Sequence, residues 1–126
     1  MWETYGLKNE DLLWASIAFQ GGIAGQRQAV CGAISSGAVC LGLRHRCSLK
    51  ETEKAKQARQ DIRRKAGELV KSFAKEYGNI ICRELMGIDA SDPEKFRQFR
   101  ESGMFEKKCH NFVRFVVEKL YELDEK

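Results

Sequence analysis

At 126 residues with 43% hydrophobic content, the chain is long enough for one domain (1–126) with its own core and too short for two of ordinary size. A net charge of +4 is modest, and Glu3 and Asp11 interrupt the start where a secretory signal would need an apolar run, so a cytoplasmic protein is expected. Five cysteines cannot all enter paired disulfides, and in a reducing compartment thiol chemistry or metal binding is the better functional reading, with buried packing as the plain one.

A single proline, eleven glycines and helix formers throughout predict an all-α fold, a small bundle of about five to six helices. Met1 to Tyr5 reads as a helical stub, Trp2 and Tyr5 sharing a face, that stops at Gly6. Asn9 is expected to cap a helix carrying Leu12, Leu13, Ala15, Ile17 and Phe19, which the turn Gly21–Gly25 ends. That GGIAG turn resembles a phosphate-cradling loop only loosely, lacking a preceding strand and a following Lys-Ser/Thr.

Ala29 to Leu43 is fifteen residues without a charge, bracketed by Arg27 and Arg44. As a helix it is roughly 22 Å long, short of a membrane span and suited to a buried central helix, expected over Arg27 to Leu43. Its Gly, Ala and Ser residues let neighbouring backbones approach closely, and at least three helices are expected to wrap it. Cys31 and Cys40, nine positions apart, would face opposite ways on it.

Ser48 to Glu51 has the form of a capping box before a long helix whose stripe of Ala55, Ala58, Ile62, Ala66, Leu69, Val70, Phe73 and Tyr77 ends at Gly78. A short helix is expected around Cys82 to Met86, stopped by Gly87. Asp92-Pro93 starts another that ends at Gly103, and the last carries Phe105, Cys109, Phe112, Val113, Val116, Val117 and Leu120. From Arg44 to Lys65 nine Lys/Arg face three acids, a local +6, while the remainder has thirteen against fifteen, or −2. No aromatic interleaving or helix-turn-helix accompanies this charge, so a solvated face is expected and no specific nucleic acid.

No HExxH, GxSxG or CxxC is present, so any site assembles from distant segments. Cys82 is the leading candidate for a reactive thiol: with Asn79 as cap it sits in a first helical turn, and Arg83 adds positive charge. Cys109 is similarly early in the last helix. Cys40 reads as packing, and Cys47, near His45, as a free thiol or weak ligand.

Gly21–Gly25, Cys31-Gly32-Ala33 with Leu41-Gly42-Leu43, Cys82 to Asp89 with Asp92-Pro93-Glu94, and Cys109 before Phe112-Val113 together resemble the redox-active proteins named for their C-GCAxxG-C-C cysteine pattern, from about Gly6 to Val117. The chain departs from the pattern at Ser36, where the family has glycine, and the first family cysteine, on a helix before the glycine-rich turn, would fall a little upstream of Met1, so a first helix is expected to be absent. The resemblance implies a helical domain with a redox or metal-binding role, and adds Cys31 to Cys82 and Cys109 as site residues. Thiol redox with a protein partner is the first reading. A soft site for zinc, copper or an iron–sulfur cluster, with the same three cysteines as candidate ligands, is the second. From other classes come a non-catalytic helical interaction module with structural cysteines and a weak nucleic-acid binder through 44–65. Two structural expectations follow: Cys31, Cys82 and Cys109 converge, and a homodimer covers the apolar faces left by the absent helix.

Overall fold

A computed structural model describes residues 1, 3–89 and 91–125. Six helices follow one another: α1 Asp11–Trp14, α2 Gly32–His45, α3 Thr52–Tyr77, α4 Cys82–Met86, α5 Pro93–Glu101 and α6 Met104–Asp124, with one 3-10 turn, Ile17–Phe19, after α1. Among the described residues there is no strand, and the fold is the all-α bundle the composition predicts. The stub expected over Met1 to Tyr5 relied on Trp2, outside the described residues; the rest of that stretch is turn, closed by Gly6 N–H on the Glu3 carbonyl at 3.0 Å.

The bundle is α2 packed between α3 and α6. The predicted stripe of α3 buries Ala55, Leu69 and Phe73, and α6 buries Phe112, Val116, Leu120 and Leu123. All of these but Ala55 pack in one cluster with Ile34 and Leu41, which with Gly37 are the buried residues of α2. A Cβ on Gly37 would lie 2.7 Å from Val116 Cγ1 and 2.9 Å from Leu69 Cδ2, so the missing side chain is what lets three helices touch at one level. Phe73, Tyr77, Phe112 and Phe115 extend the core as tilted and edge-to-face rings 4.8–5.7 Å apart.

Helix ends depart from expectation where loops make their own bonds. The central helix begins at Gly32, not near Arg27, because Arg27 is left-handed (φ 61°) and Val30 is taken up in an antiparallel bridge with Ile81. The capping box does not form. Ser48–Glu51 closes its own turn, Glu51 N–H on the Ser48 carbonyl at 3.1 Å, and α3 starts one residue beyond it. The helix expected through Phe19 is broken into α1 and the 3-10 turn; no α1 residue is buried, and four residues are too few to hold a helix without packing. By contrast Asp92 caps α5 as read, accepting from Glu94 and Lys95 N–H at 3.1 Å, and Gly78, Gly87 and Gly103 take the left-handed conformation at the helix boundaries.

Candidate functional site

The site is built by a left-handed turn and a single β-bridge. Gly21, Gly22, Ile23, Ala24 and Gly25 all have φ between 51° and 73°, and Arg27 follows at 61°. Each non-glycine residue in this conformation costs on the order of 1 kcal/mol, and bonds such as Ala24 N–H to the Ala18 carbonyl (2.7 Å) and Arg27 N–H to the Gly21 carbonyl (2.8 Å) hold it. The chain then straightens and pairs with the segment before α4. Cys31 N–H donates to the Ile80 carbonyl at 2.8 Å, Cys82 N–H to the Ala29 carbonyl at 3.0 Å and Arg83 N–H to the Arg27 carbonyl at 2.9 Å. Asn79 Oδ1, expected to cap α4, instead accepts from Ile80 and Ile81 N–H and shapes the approach to the bridge.

In an extended pair, alternate residues share a face. With Val30 opposite Ile81, Cys31 and Cys82 lie on the same side as diagonal neighbours, a relation that sets Cα atoms about 7–8 Å apart. Each thiol stands at the head of a helix, Cys31 as the residue before α2 and Cys82 as the first of α4. The N–H groups of Ala33 and Ile34 work to lower the Cys31 thiol, yet burial outweighs them and holds it above its ordinary range. Burial, then the neighbouring Cys31, raises Cys82.

Cys109 joins from α6. Lys108 Nζ donates to the carbonyls of Leu85 and Met86, closing the C-terminal end of α4 and tying it to α6. The Cys109 thiol is raised by burial and by the fields of both Cys31 and Cys82. All three thiols line one apolar cavity of about 570 Å³ between the 3-10 turn, α2, α4 and α6, with Glu106 and His110 among its few polar residues. Cys31 and Cys82 are 8% and 5% exposed, so the cavity is the route to their sulfurs. Cys109 lies in the second turn of α6, past the N–H groups a helix leaves unpaired, and draws nothing from that end.

Three further placements were not foreseen. Cys40 lines the same cavity as Cys31, because Cys31 precedes the helix and the half-turn phase reckoned between them does not apply. Arg83 pairs with Glu84 at 3.3 Å, and the cation acting on Cys82 and Cys109 is Arg27. Gly22 proves part of the site: a Cβ there would lie 2.8 Å from the Ala29 carbonyl and 3.0 Å from Cys82 Cβ, so only glycine lets the turn close on this thiol. Its place in GGIAG gave a turn signal but no hint of that contact. Cys47 stands apart, outside the cavity lining, and His45 turns away to Asp124 at 3.2 Å.

All five cysteines are free thiols. Among the described residues no three of Cys, His, Asp or Glu are grouped to hold a metal ion. Among the described residues no helix is long and apolar enough to cross a membrane. No curated protein and no solved structure matches the chain. A family model described as "Putative redox-active protein (C_GCAxxG_C_C)" matches residues 1–123, nearly the whole chain, and the protein therefore belongs to that family.

Proposed function

We propose that the protein performs dithiol/disulfide chemistry with Cys31 and Cys82 as the exchanging pair and Cys109 as a third thiol in reach of them. The observation that carries this is the bridge Val30–Ile81, which sets two thiols from distant segments on one face. A disulfide needs Cα atoms about 4.4–6.8 Å apart, so closure from a diagonal register asks for a shift of about an ångström. In exchange, the Cys82 sulfur, having lost its proton, attacks one sulfur of a substrate disulfide, and the other leaves as a thiolate. Cys31, losing its proton in turn, displaces the second substrate sulfur and closes the Cys31–Cys82 bond, so two electrons pass to the substrate and the two protons follow. A redox partner protein supplies or drains these electrons in a reducing, cytoplasmic setting, where free thiols persist.

The test is a free-thiol titration before and after oxidation by a small disulfide, with peptide mapping, and a metal assay on the same sample. A reversible Cys31–Cys82 bond without bound metal supports the proposal. Thiols that stay free under oxidation leave the reading of structural cysteines in an interaction module, and retained zinc or iron moves the site to the metal reading. A homodimer is proposed with it, since Leu13, Ile17 and Val113, at the cavity, remain 47–62% exposed; light scattering giving a monomer at high concentration counts against it.

A further inference from the structure

We propose that Arg27 is a positioning residue for the thiol cluster, a cation held near Cys82 and Cys109 so as to stabilise the sulfur anion formed when either loses its proton. The proposal rests on the thiol reading above and goes beyond it in assigning a residue that the cysteine pattern does not contain.

The backbone of Arg27 is fixed from both sides in a conformation that side chains rarely adopt: its N–H bonds Gly21, and its carbonyl accepts from Arg83, the neighbour of Cys82. Only the Gly22 backbone separates it from that cysteine. A Cβ on Gly22 would meet Arg27 Cα at 3.1 Å and Cys82 Cβ at 3.0 Å. The side chain then crosses to α5 and α6. Its Cζ stands 3.8 Å from the centre of the Phe96 ring and 5.9 Å from that of Phe105, which precedes Cys109 by four residues and lines the same cavity. A guanidinium held over a ring face is tethered there by the attraction of its charge to the π-system.

Beside these rings the Arg27 Nε–H is buried and has no hydrogen-bond partner. A buried charged donor left open is unusual, and an anion brought within its reach is the kind of acceptor it lacks. In keeping with this, the Arg27 charge opposes the effect of burial on both Cys82 and Cys109. Of the other charges nearby, two are engaged elsewhere and three share these rings or the cavity. Arg83 is paired with Glu84, Lys108 closes α4, Arg100 lies 5.9 and 5.8 Å from the same two rings, and Glu106 and His110 line the cavity.

A purely structural Arg27, gluing α5 to α6 through the rings, is separated from this role by the charge of the probe. The reduced full chain is alkylated at neutral pH with neutral iodoacetamide and with anionic iodoacetate, and each cysteine is read by mass spectrometry. In Arg27→Gln, labelling of Cys82 and Cys109 slows, and the iodoacetate-to-iodoacetamide rate ratio falls about three- to tenfold, Cys31 changing least. Arg27→Lys restores the ratio, and Arg100→Gln leaves it at the wild-type value. A ratio unchanged in Arg27→Gln, or lowered as much by Arg100→Gln, overturns the proposal. Arg27→Gly, which accepts the left-handed backbone freely, carries the same expectation should the glutamine variant fail to fold. Alkylation needs no disulfide, so failure of the dithiol reading and failure of this one appear in different measurements.

Discussion

The two ends of α2 bury polar groups in opposite ways. At its C-terminal end Lys65, 3% exposed, donates to the Leu123 carbonyl at 2.7 Å and lies 3.4 Å from His45 Nε2 and 3.9 Å from Asp61, while Asp124 takes His45 at 3.2 Å and Arg44 at 3.5 Å. Each of these charges has a partner, and the buried Tyr5 hydroxyl close to Asp124 and Arg44 is the polar group left without one. At the N-terminal end three thiols share a cavity unbonded to one another, beside a guanidinium whose Nε has no partner, under a turn of left-handed residues. A network of paired charges fixes a bundle; unpaired thiols under a strained turn are a place where chemistry is left to happen.

The sharpest way to break this contrast is at the thiols. Cys82→Ser is expected to abolish the reversible disulfide altogether, Cys31→Ser likewise, while Cys40→Ser leaves it intact although Cys40 lines the same cavity. Non-reducing electrophoresis and mass mapping of the oxidised protein check it, and a disulfide surviving in Cys82→Ser removes the proposed pair.

At the opposite end the expected effect is on stability alone. Lys65→Ala leaves the Leu123 carbonyl without its donor and Asp61 without the buried cation, a loss of about 3 kcal/mol by urea denaturation. Alkylation of Cys82 stays at the wild-type rate if the two ends are independent; a parallel drop in both would show one cooperative network instead.

The two ends were unequally legible in the sequence. Periodicity and punctuation gave α3, α5 and α6, since Gly78, Asp92-Pro93 and Gly103 act through local chemistry. Lys65 was counted only as one charge of a basic run, because nothing local marks a lysine that reaches the end of a helix 58 residues away. Cys31, Cys82 and Cys109 were named from helix position and cysteine pattern, but not the means of bringing Cys31 and Cys82 together. A one-residue bridge leaves no alternating pattern, and the left-handed Ile23, Ala24 and Arg27 occupy a conformation that composition argues against. The helix phase argument failed at Cys31 for the same reason: the bridge had already claimed the residues that would have been its first turn.

Burial gives the thiol end a pH signature. Cys31, Cys82 and Cys109 are all held above the ordinary thiol range, so at neutral pH less of each is thiolate than in a small thiol. Their alkylation by iodoacetamide is expected to be slower, and to keep rising beyond about pH 8.5, where a small thiol is half ionised. The sign for stability is the reverse. A raised pKa means the folded chain holds protons that the unfolded chain releases, so unfolding free energy falls as pH rises through and above the ordinary thiol range. A labelling profile that levels off at or below the small-thiol range would show the thiols open to water and weaken the contrast between the two ends.

The smallest effect is expected from the feature that looks largest in the sequence, the +6 of Arg44 to Lys65. Much of that charge is answered within the fold. Lys65 is buried, Arg64 bridges Asp61 and Glu68 at 2.6 Å each, Lys54 meets Glu51 at 2.8 Å and Arg44 meets Asp124. Exposed pairs of this kind contribute little to stability, but each acid nearby weakens the field a phosphate would meet. Duplex DNA is therefore expected to bind weakly, without preference for one sequence, and to release as salt is raised, because what remains is counterion release from a few phosphates. Fluorescence anisotropy with two unrelated duplexes across a salt series measures this. Selective binding of one duplex at physiological salt would show that α3 reads bases, and would move the working face of the molecule from the thiol cavity to the outer side of this helix.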